Sequence, residues 1–484
     1  MYFVYEHLYS LNIDIFVFAN SILWRNLMKI IKKPEKVRIG CLGEQTVQKS
    51  ADYRLMNYIF KAEVSNGLLV FNGLTGELIF LDSNEKDKLQ KNNLPFEILE
   101  TLIRKWFMVP NDYDEYKLCD QMNNLLNILY CVSNKANAIT KYTVLTTTDC
   151  NARCFYCFEH GRKRINMSER VALDTAQYII KSSGGKPVTF RWFGGEPLYN
   201  YEAIDIICSV LRDNNIEYSS SMVSNGYLFD DAIIEKSKDL WNLENVQITL
   251  DGTEEIYNRC KAFIYKDTNA FQKVMENIHK LLESGINVKI RMNMDTHNSD
   301  DLFALVDQLA EKFSNYSNLT VYTHLLFDNT DEKRKNRKFD ERYMLMEMHK
   351  KLSAYIKSKG FEVRHTLDGY FRNNQCMADN DSAVVIVPDG SLGKCEHFSD
   401  NNFFGSIYSE CVDKTVIDGF KQRRQIEIQC AKCPMYPACI RLKKCPDISE
   451  TCDECQQKIY FYGIKNRMIN TYQDYLSNNS DIDF

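Results

Sequence analysis

The 484-residue sequence lacks any strong charge imbalance: 60 Lys and Arg stand against 65 Asp and Glu, a net charge of −5 at neutral pH. A surface so nearly balanced has no field to gather nucleic acid or an anionic membrane, and neither is expected as a partner. Long apolar runs are missing too. The one apolar stretch near the start, Leu11 to Trp24, is interrupted by Asn12, Asp14 and Asn20. Its positive residues, Arg25 and Lys29, follow it instead of preceding it, so it reads as a buried or interfacial helix, neither a secretory signal nor a membrane span. A cytoplasmic location is expected. What the sequence has in excess is cysteine, 17 in all, an odd number. In a reducing compartment, closely spaced cysteines point to metal or cluster ligands more than to disulfides.

This length calls for two or three cores. Residues 1–50 carry little pattern and read as an extension of uncertain structure. Between Asn57 and Leu81 apolar and polar residues alternate around Ser65-Asn66-Gly67 and Asn72-Gly73, the signature of antiparallel strands with tight turns. A helical stretch follows over 85–130, so 51–135 is expected to be a small α+β domain. Over 140–330 strands alternate with amphipathic helices. The strands are expected at Thr143–Thr148, Pro187–Trp192, Glu217–Val223, Asn245–Leu250, Asn287–Met294 and Leu319–Phe327. The helices are expected near 168–182, 200–213, 230–240, 270–284 and 300–313. Six strand-helix units predict a parallel α/β sheet or open barrel with its chemistry at the carboxyl ends of the strands. Residues 331–364 open as a charged linker, where Lys333-Arg334-Lys335 reads as solvated surface. Cysteine density rises again within 365–460, and 461–484 reads as a helix and tail.

The first chemical motif follows the first core strand: Cys150, Cys154 and Cys157 in a CxxxCxxC spacing. Three thiolates on one short loop can bind three irons of a [4Fe-4S] cube and leave the fourth iron open. A zinc site would close with a fourth ligand, for which His160 is the nearby candidate. The second motif, Gly194-Gly195-Glu196-Pro197, ends the second strand. Its glycines let the backbone approach a ligand, and its carboxylate could accept from an ammonium group.

Together these motifs resemble the radical S-adenosylmethionine (SAM) superfamily, whose fold is a partial (β/α)6 TIM-like barrel. The resemblance implies that Cys150, Cys154 and Cys157 hold a [4Fe-4S] cluster that binds SAM. It implies that Tyr156 lies near the adenine and that Gly194, Gly195 and Glu196 contact the methionyl amino group. Ser224-Asn225-Gly226 resembles the ribose-side loop, and Asp251-Gly252 with Arg259 a further cofactor-holding segment. Arg291 on the fifth strand is another candidate, with a buried salt bridge as its alternative.

The C-terminal cysteines resemble a SPASM extension with two auxiliary [4Fe-4S] clusters. By that pattern Cys376, Cys395 and Cys445 serve the first, with Cys411 as a candidate to close it. Cys430, Cys433, Cys439 and one of Cys452 or Cys455 serve the second. The five residues between Cys439 and Cys445 exceed the family's spacing, and no cysteine lies just upstream of Cys376. Zinc also selects paired CxxC spacings. The resemblance implies a maturase that cleaves SAM to a 5′-deoxyadenosyl radical and takes a hydrogen from a ribosomally synthesised precursor peptide. The product would be a thioether or carbon–carbon crosslink, with ferredoxin or flavodoxin as electron donor. The small domain at 51–135 would then be a candidate for leader-peptide recognition. The alternatives are an anaerobic sulfatase-maturating enzyme making formylglycine, with Glu396 as its base, and a non-catalytic iron–sulfur or zinc scaffold.

Overall fold

The structure, a computed structural model, describes residues 28–34, 42–48, 51–133, 137–266, 268–326, 339–361, 367, 376–397, 402–421, 428–439, 452 and 454–479. The Leu11–Trp24 stretch, the basic run Lys333-Arg334-Lys335 and Cys445 lie outside these residues, as does the side chain of Cys455.

The amino-terminal unit holds β1 (Lys29–Lys32), β2 (Tyr53–Leu55), β3 (Ile59–Val64), β4 (Gly67–Asn72), β5 (Leu78–Asp82) and β6 (Met108–Pro110). Its helices are α1 (Ser83–Gln90), α2 (Phe96–Arg104) and α3 (Glu115–Ser133). Four strands form an antiparallel sheet in the order β1-β5-β4-β3, and β2 pairs with β6. Lys29–Lys32, within the patternless start, thus supplies an edge strand. Ser65 and Asn66 make the β3–β4 turn, and Gly67 is required beside it: a Cβ there would lie 2.1 Å from the Leu81 carbonyl oxygen. Both faces of the sheet are covered. Leu68, Val70, Ile79 and Leu81 pack with Ile98, Leu102 and Trp106. Phe60, Leu69, Phe71 and Phe80 pack with Ile464, Met468 and Tyr472 of the helix Glu454–Asn478.

The central sheet contains β7 (Lys141–Thr147), β8 (Val188–Gly194), β9 (Tyr218–Ser224), β10 (Leu243–Thr249), β11 (Asn287–Met294) and β12 (Leu319–Leu325), neighbours in sequence order and all parallel. Between them run α4 (Glu169–Ser183), α5 (Tyr201–Asp213), α6 (Asp231–Asp239), α7 (Glu254–Lys261), α8 (Ala270–Glu283) and α9 (Asp301–Phe313). Period-two burial decides which side of each strand meets the helices. On β8, Val188, Phe190 and Trp192 enter the helix-side core, while Thr189 and Arg191 face the concave side. Trp192 is fully buried and stacks on Phe190, so cutting it to alanine would cost about 3–5 kcal/mol. Ser168, Asp230 and Asn269 accept from backbone N–H groups at the starts of α4, α6 and α8, fixing where each helix begins.

The strand and helix boundaries lie within a few residues of those the sequence predicts. Helix α7 was not anticipated, because its text EEIYNRCK buries only Tyr257 and Lys261 and shows no apolar stripe. After α10 (Phe339–Ser358), the sheet continues past β7: β13 (Ala383–Ile386) joins it in parallel, and β14 (Ser391–Gly393) and β15 (Phe403–Ser406) follow antiparallel. The cysteine-rich segment is therefore built onto the barrel sheet itself. Helices α11 (Lys414–Lys421) and α12 (Glu454–Asn478) follow, and among the described residues no helix is long and apolar enough to cross a membrane.

Candidate active site

Cys150 sits three residues past β7, at the carboxyl end of the sheet. The loop is tied down along its length: Asp149 Oδ1 accepts from Cys150 N (2.8 Å), Arg153 N donates to Lys261 O (2.8 Å) and Ile264 N to Asn151 O (2.9 Å). Cys150, Cys154 and Cys157 are all half-buried. Burial, then the charge of Glu196, pushes the Cys150 thiol up to about 12, with Cys154 and Cys157 adding to the rise; the three thiols are electrostatic neighbours. Ala152 N (3.3 Å) and Asn225 Nδ2 (3.7 Å) point at the Cys150 sulfur. His160, the candidate fourth ligand of a zinc site, is exposed. Among the described residues no three His, Cys, Asp or Glu side chains converge as a single metal ion requires. Three thiols on one loop, with N–H donors aimed at the Cys150 sulfur and no fourth protein ligand beside them among the described residues, fit a cubane cluster with one open corner.

Gly194 and Gly195 are needed for a different reason from the one their sequence context suggests. A Cβ on Gly194 would lie 2.1 Å from Thr147 O, and one on Gly195 2.1 Å from Asp149 O. What approaches the glycines is the backbone leading into Cys150. Gly195 N and Glu196 N then donate to those same carbonyls, at 3.0 and 2.9 Å. The Glu196 carboxylate is wholly buried and already engaged. Ser224 Oγ (2.9 Å) and Leu198 N (3.2 Å) donate to Oε1, and Asn225 N (2.7 Å) to Oε2. Burial raises this carboxyl to about 7 against those hydrogen bonds. Glu196 therefore joins the end of β8 to the end of β9, and Ser224 is drawn into that joint. Asn225 Nδ2 reaches Asn151 Oδ1 at 2.6 Å. The structure brings Gly194, Gly195, Glu196, Ser224 and Asn225 together with the cluster loop, although Glu196 turns inward and offers no free oxygen.

The third group gathers at the ends of β10 and β11. Asp251 is buried, its Oδ1 accepting from Asn293 N (3.3 Å) and its Oδ2 facing Lys261 Nζ (2.8 Å). The Tyr156 hydroxyl donates to Asp251 and accepts from Lys261 Nζ (2.6 Å). Burial opposes the Lys261 charge, but Asp251, Cys154 and Tyr257 outweigh it and hold the ammonium above the ordinary lysine value. Tyr156 thus belongs to an ionic network beside Cys154. Arg259 does not: its side chain is 64% exposed and its carboxylate neighbour is Glu255 at 4.0 Å. The structure thus does not bring Arg259 into the group formed by Asp251, Lys261 and Tyr156. Residues 259 and 261 fall on different faces of α7, whereas Tyr257 and Lys261, four apart, share the buried one. A buried Asp251 needing a cation was the signal for Lys261.

Glu396 lies 3.5 Å from Arg191 Nη1, so the carboxylate suggested as a base is held in an ion pair. Arg291 donates from Nε to Asn293 Oδ1 (2.9 Å) and forms no salt bridge among the described residues. Farther along, burial pushes the Cys433 thiol up to about 11, and the nearby Cys439, Cys452 and Cys430 add to the rise. Cys430 and Cys439 pack with Tyr436 against the amino-terminal core, where Tyr58 OH donates to Ala431 O (3.1 Å). Cys376 and Cys411 are exposed, and Cys395 is half-buried just after β14.

Comparisons with known proteins agree with this geometry. A Fe-coproporphyrin III synthase of Methanosarcina barkeri is 26% identical over 168 residues, 34% of this chain and 40% of that one. The radical SAM cyclopropyl synthase TigE of Paramaledivibacter caminithermalis is 22% identical over 256 residues, 46% of this chain and 50% of that one. The chain thus spans about half or less of the length of these curated relatives. A solved structure described as native anSMEcpe with bound AdoMet and Kp18Cys peptide shares the fold at a TM-score of 0.53 and 18% identity, covering 69% of this chain and 99% of that one. Residues 144–310, the stretch that holds the parallel sheet from β7 to α9, match the family described as the radical SAM superfamily.

Proposed function

We propose that this protein is a peptide maturase: a radical SAM enzyme that removes hydrogen from a ribosomally synthesised precursor peptide and closes a thioether or carbon–carbon crosslink. The observation that carries the reading is the continuation of the barrel sheet through β13–β15 into the cysteine-rich segment that holds Cys430, Cys433, Cys439 and Cys452. The Kp18Cys peptide bound to anSMEcpe, which shares this fold, supports the same substrate class.

In this reading Cys150, Cys154 and Cys157 hold the SAM-binding cluster, and the cysteine-rich segment holds two auxiliary clusters. Bound cluster and SAM supply one-electron cleavage to a 5′-deoxyadenosyl radical, with the electron coming from a ferredoxin or flavodoxin. The chain's own residues set the geometry. Glu196 locks the β8 and β9 ends against the cluster loop, so that the glycine turn and Asn225 keep one arrangement. Lys261 and Asp251 fix the Tyr156 ring beside Cys154, and preorganised polar groups of this kind need not reorient during reaction. Glu396, paired with Arg191, is a weaker candidate for a base, which favours crosslinking over formylglycine formation.

The test is mass spectrometry of short peptides encoded beside the gene, incubated anaerobically with the reconstituted protein, SAM and a reductant. Crosslinking removes two hydrogens per bond formed and leaves one fewer free thiol when a thioether is made. Peptides recovered unmodified while SAM is consumed would contradict the proposal.

A further inference from the structure

The concave face of the barrel carries a charge pattern that the cofactor site does not use. On β8 to β12 the positions facing away from the helix-side core include Arg191, Gln247, Lys289, Arg291 and His324, and the one acid among them, Glu244, lies at the amino end of β10. Arg291 and Tyr322 are register partners on neighbouring strands, and Tyr322 OH donates to Gln247 Oε1 at 2.8 Å. Burial raises the Tyr322 phenol, while the charges of Arg291 and Arg191 pull it back, and these two arginines come from strands three apart in the sheet order, β11 and β8. Arg191 has Glu396 at 3.5 Å; Arg291 has an amide oxygen, Asn293 Oδ1, and no carboxylate among the described residues. A guanidinium fork facing a lumen without an acid partner is a site for a carboxylate supplied from outside.

Its position also sets a distance. Asn293, two residues farther along β11 on the same face, contacts Tyr156 OH through Nδ2 (3.4 Å) and Asp251 through its backbone. Two residues of strand span roughly 7 Å, so Arg291 lies about that far below the Tyr156 network. An extended peptide covers the same distance in about two residues. We propose that Arg291, with Arg191 of β8, binds the side-chain carboxylate of an acidic residue about two positions from the one that loses hydrogen. This assignment rests on the peptide reading above and narrows its substrate class.

The test uses the full chain, reconstituted and saturated with SAM, and two dansyl-labelled probes: acetyl-Gly-Asp-Gly-Cys-Gly-amide and the same peptide with Asn for Asp. Fluorescence anisotropy should show the acidic peptide bound at least tenfold more tightly. The preference should vanish in Arg291→Met and return in part in Arg291→Lys, with SAM affinity by equilibrium dialysis unchanged in both. Equal binding of the two peptides by the unmodified chain overturns the inference and leaves the peptide reading standing. Loss of SAM affinity in Arg291→Met overturns it by assigning the carboxylate to SAM. If neither peptide binds, while calorimetry shows glutarate taken up by the unmodified chain and not by Arg291→Met, the lumen holds an anion other than a peptide, and both readings fail.

Discussion

Lys261→Met removes the cation from the buried network beside Cys154. In the folded chain Lys261 Nζ faces Asp251 Oδ2 at 2.8 Å, and the two side chains are 3% and 1% exposed. Methionine keeps the volume but leaves Asp251 with only the Tyr156 hydroxyl and the Asn293 N–H against its charge. Breaking a buried pair by removing one partner costs about 3–5 kcal/mol, most of it from the charge left behind. Lys261→Met with Asp251→Asn removes that charge as well and should recover at least about half of the loss. Urea unfolding can be followed by tryptophan fluorescence, because Trp192 and Trp241 are wholly buried in the barrel core. The double variant should be more stable than the single one. A Lys261→Met loss under about 1 kcal/mol, or strictly additive effects of the two substitutions, would refute the claim that this pair organises the site.

Other substitutions separate the parts of the account. Gly195→Ala puts a methyl 2.1 Å from Asp149 O and should lower iron content after reconstitution by about one cluster while the C-terminal cysteines keep theirs; full iron content would contradict that packing. Glu196→Gln keeps the shape but sets an amide N–H₂ against the Ser224 or Asn225 donors. It should cost about 1–3 kcal/mol in the same urea assay, and no change would show that those bonds do not hold the two strand ends. Burial, with the charges of Arg291 and His349, lowers the His324 imidazole to about 4 from 6.5. The unfolded chain therefore takes up this proton first as pH falls, so stability is full above about 6.5 and is lost on descent towards about 4. Allowing for solvent screening, this should amount to about 1–2 kcal/mol, and His324→Gln should flatten that part of the stability profile.

The core was legible because its signals are redundant. Strands β8, β9, β11 and β12 bury apolar residues of one parity, and Ser168, Asp230 and Asn269 mark helix starts in the text itself. The site was harder to read, because its determinants are long-range. Glu196 looked like a ligand contact, and only the fold shows Ser224 and Asn225 claiming its oxygens from 28 and 29 residues away. Arg259 drew attention as an arginine after Asp251-Gly252, but helical geometry turns it outward and Lys261 inward. The edge strand Lys29–Lys32 also escaped notice, since four residues lacking strict alternation gain their register only from β5.

The most direct measurement of the central claim is SAM cleavage by the full chain after anaerobic reconstitution and reduction. The unmodified protein should release 5′-deoxyadenosine. Cys150→Ala should release none while retaining the iron bound by its C-terminal cysteines. A fully reconstituted protein that yields no 5′-deoxyadenosine, or a Cys150→Ala variant that still yields it, would contradict the account.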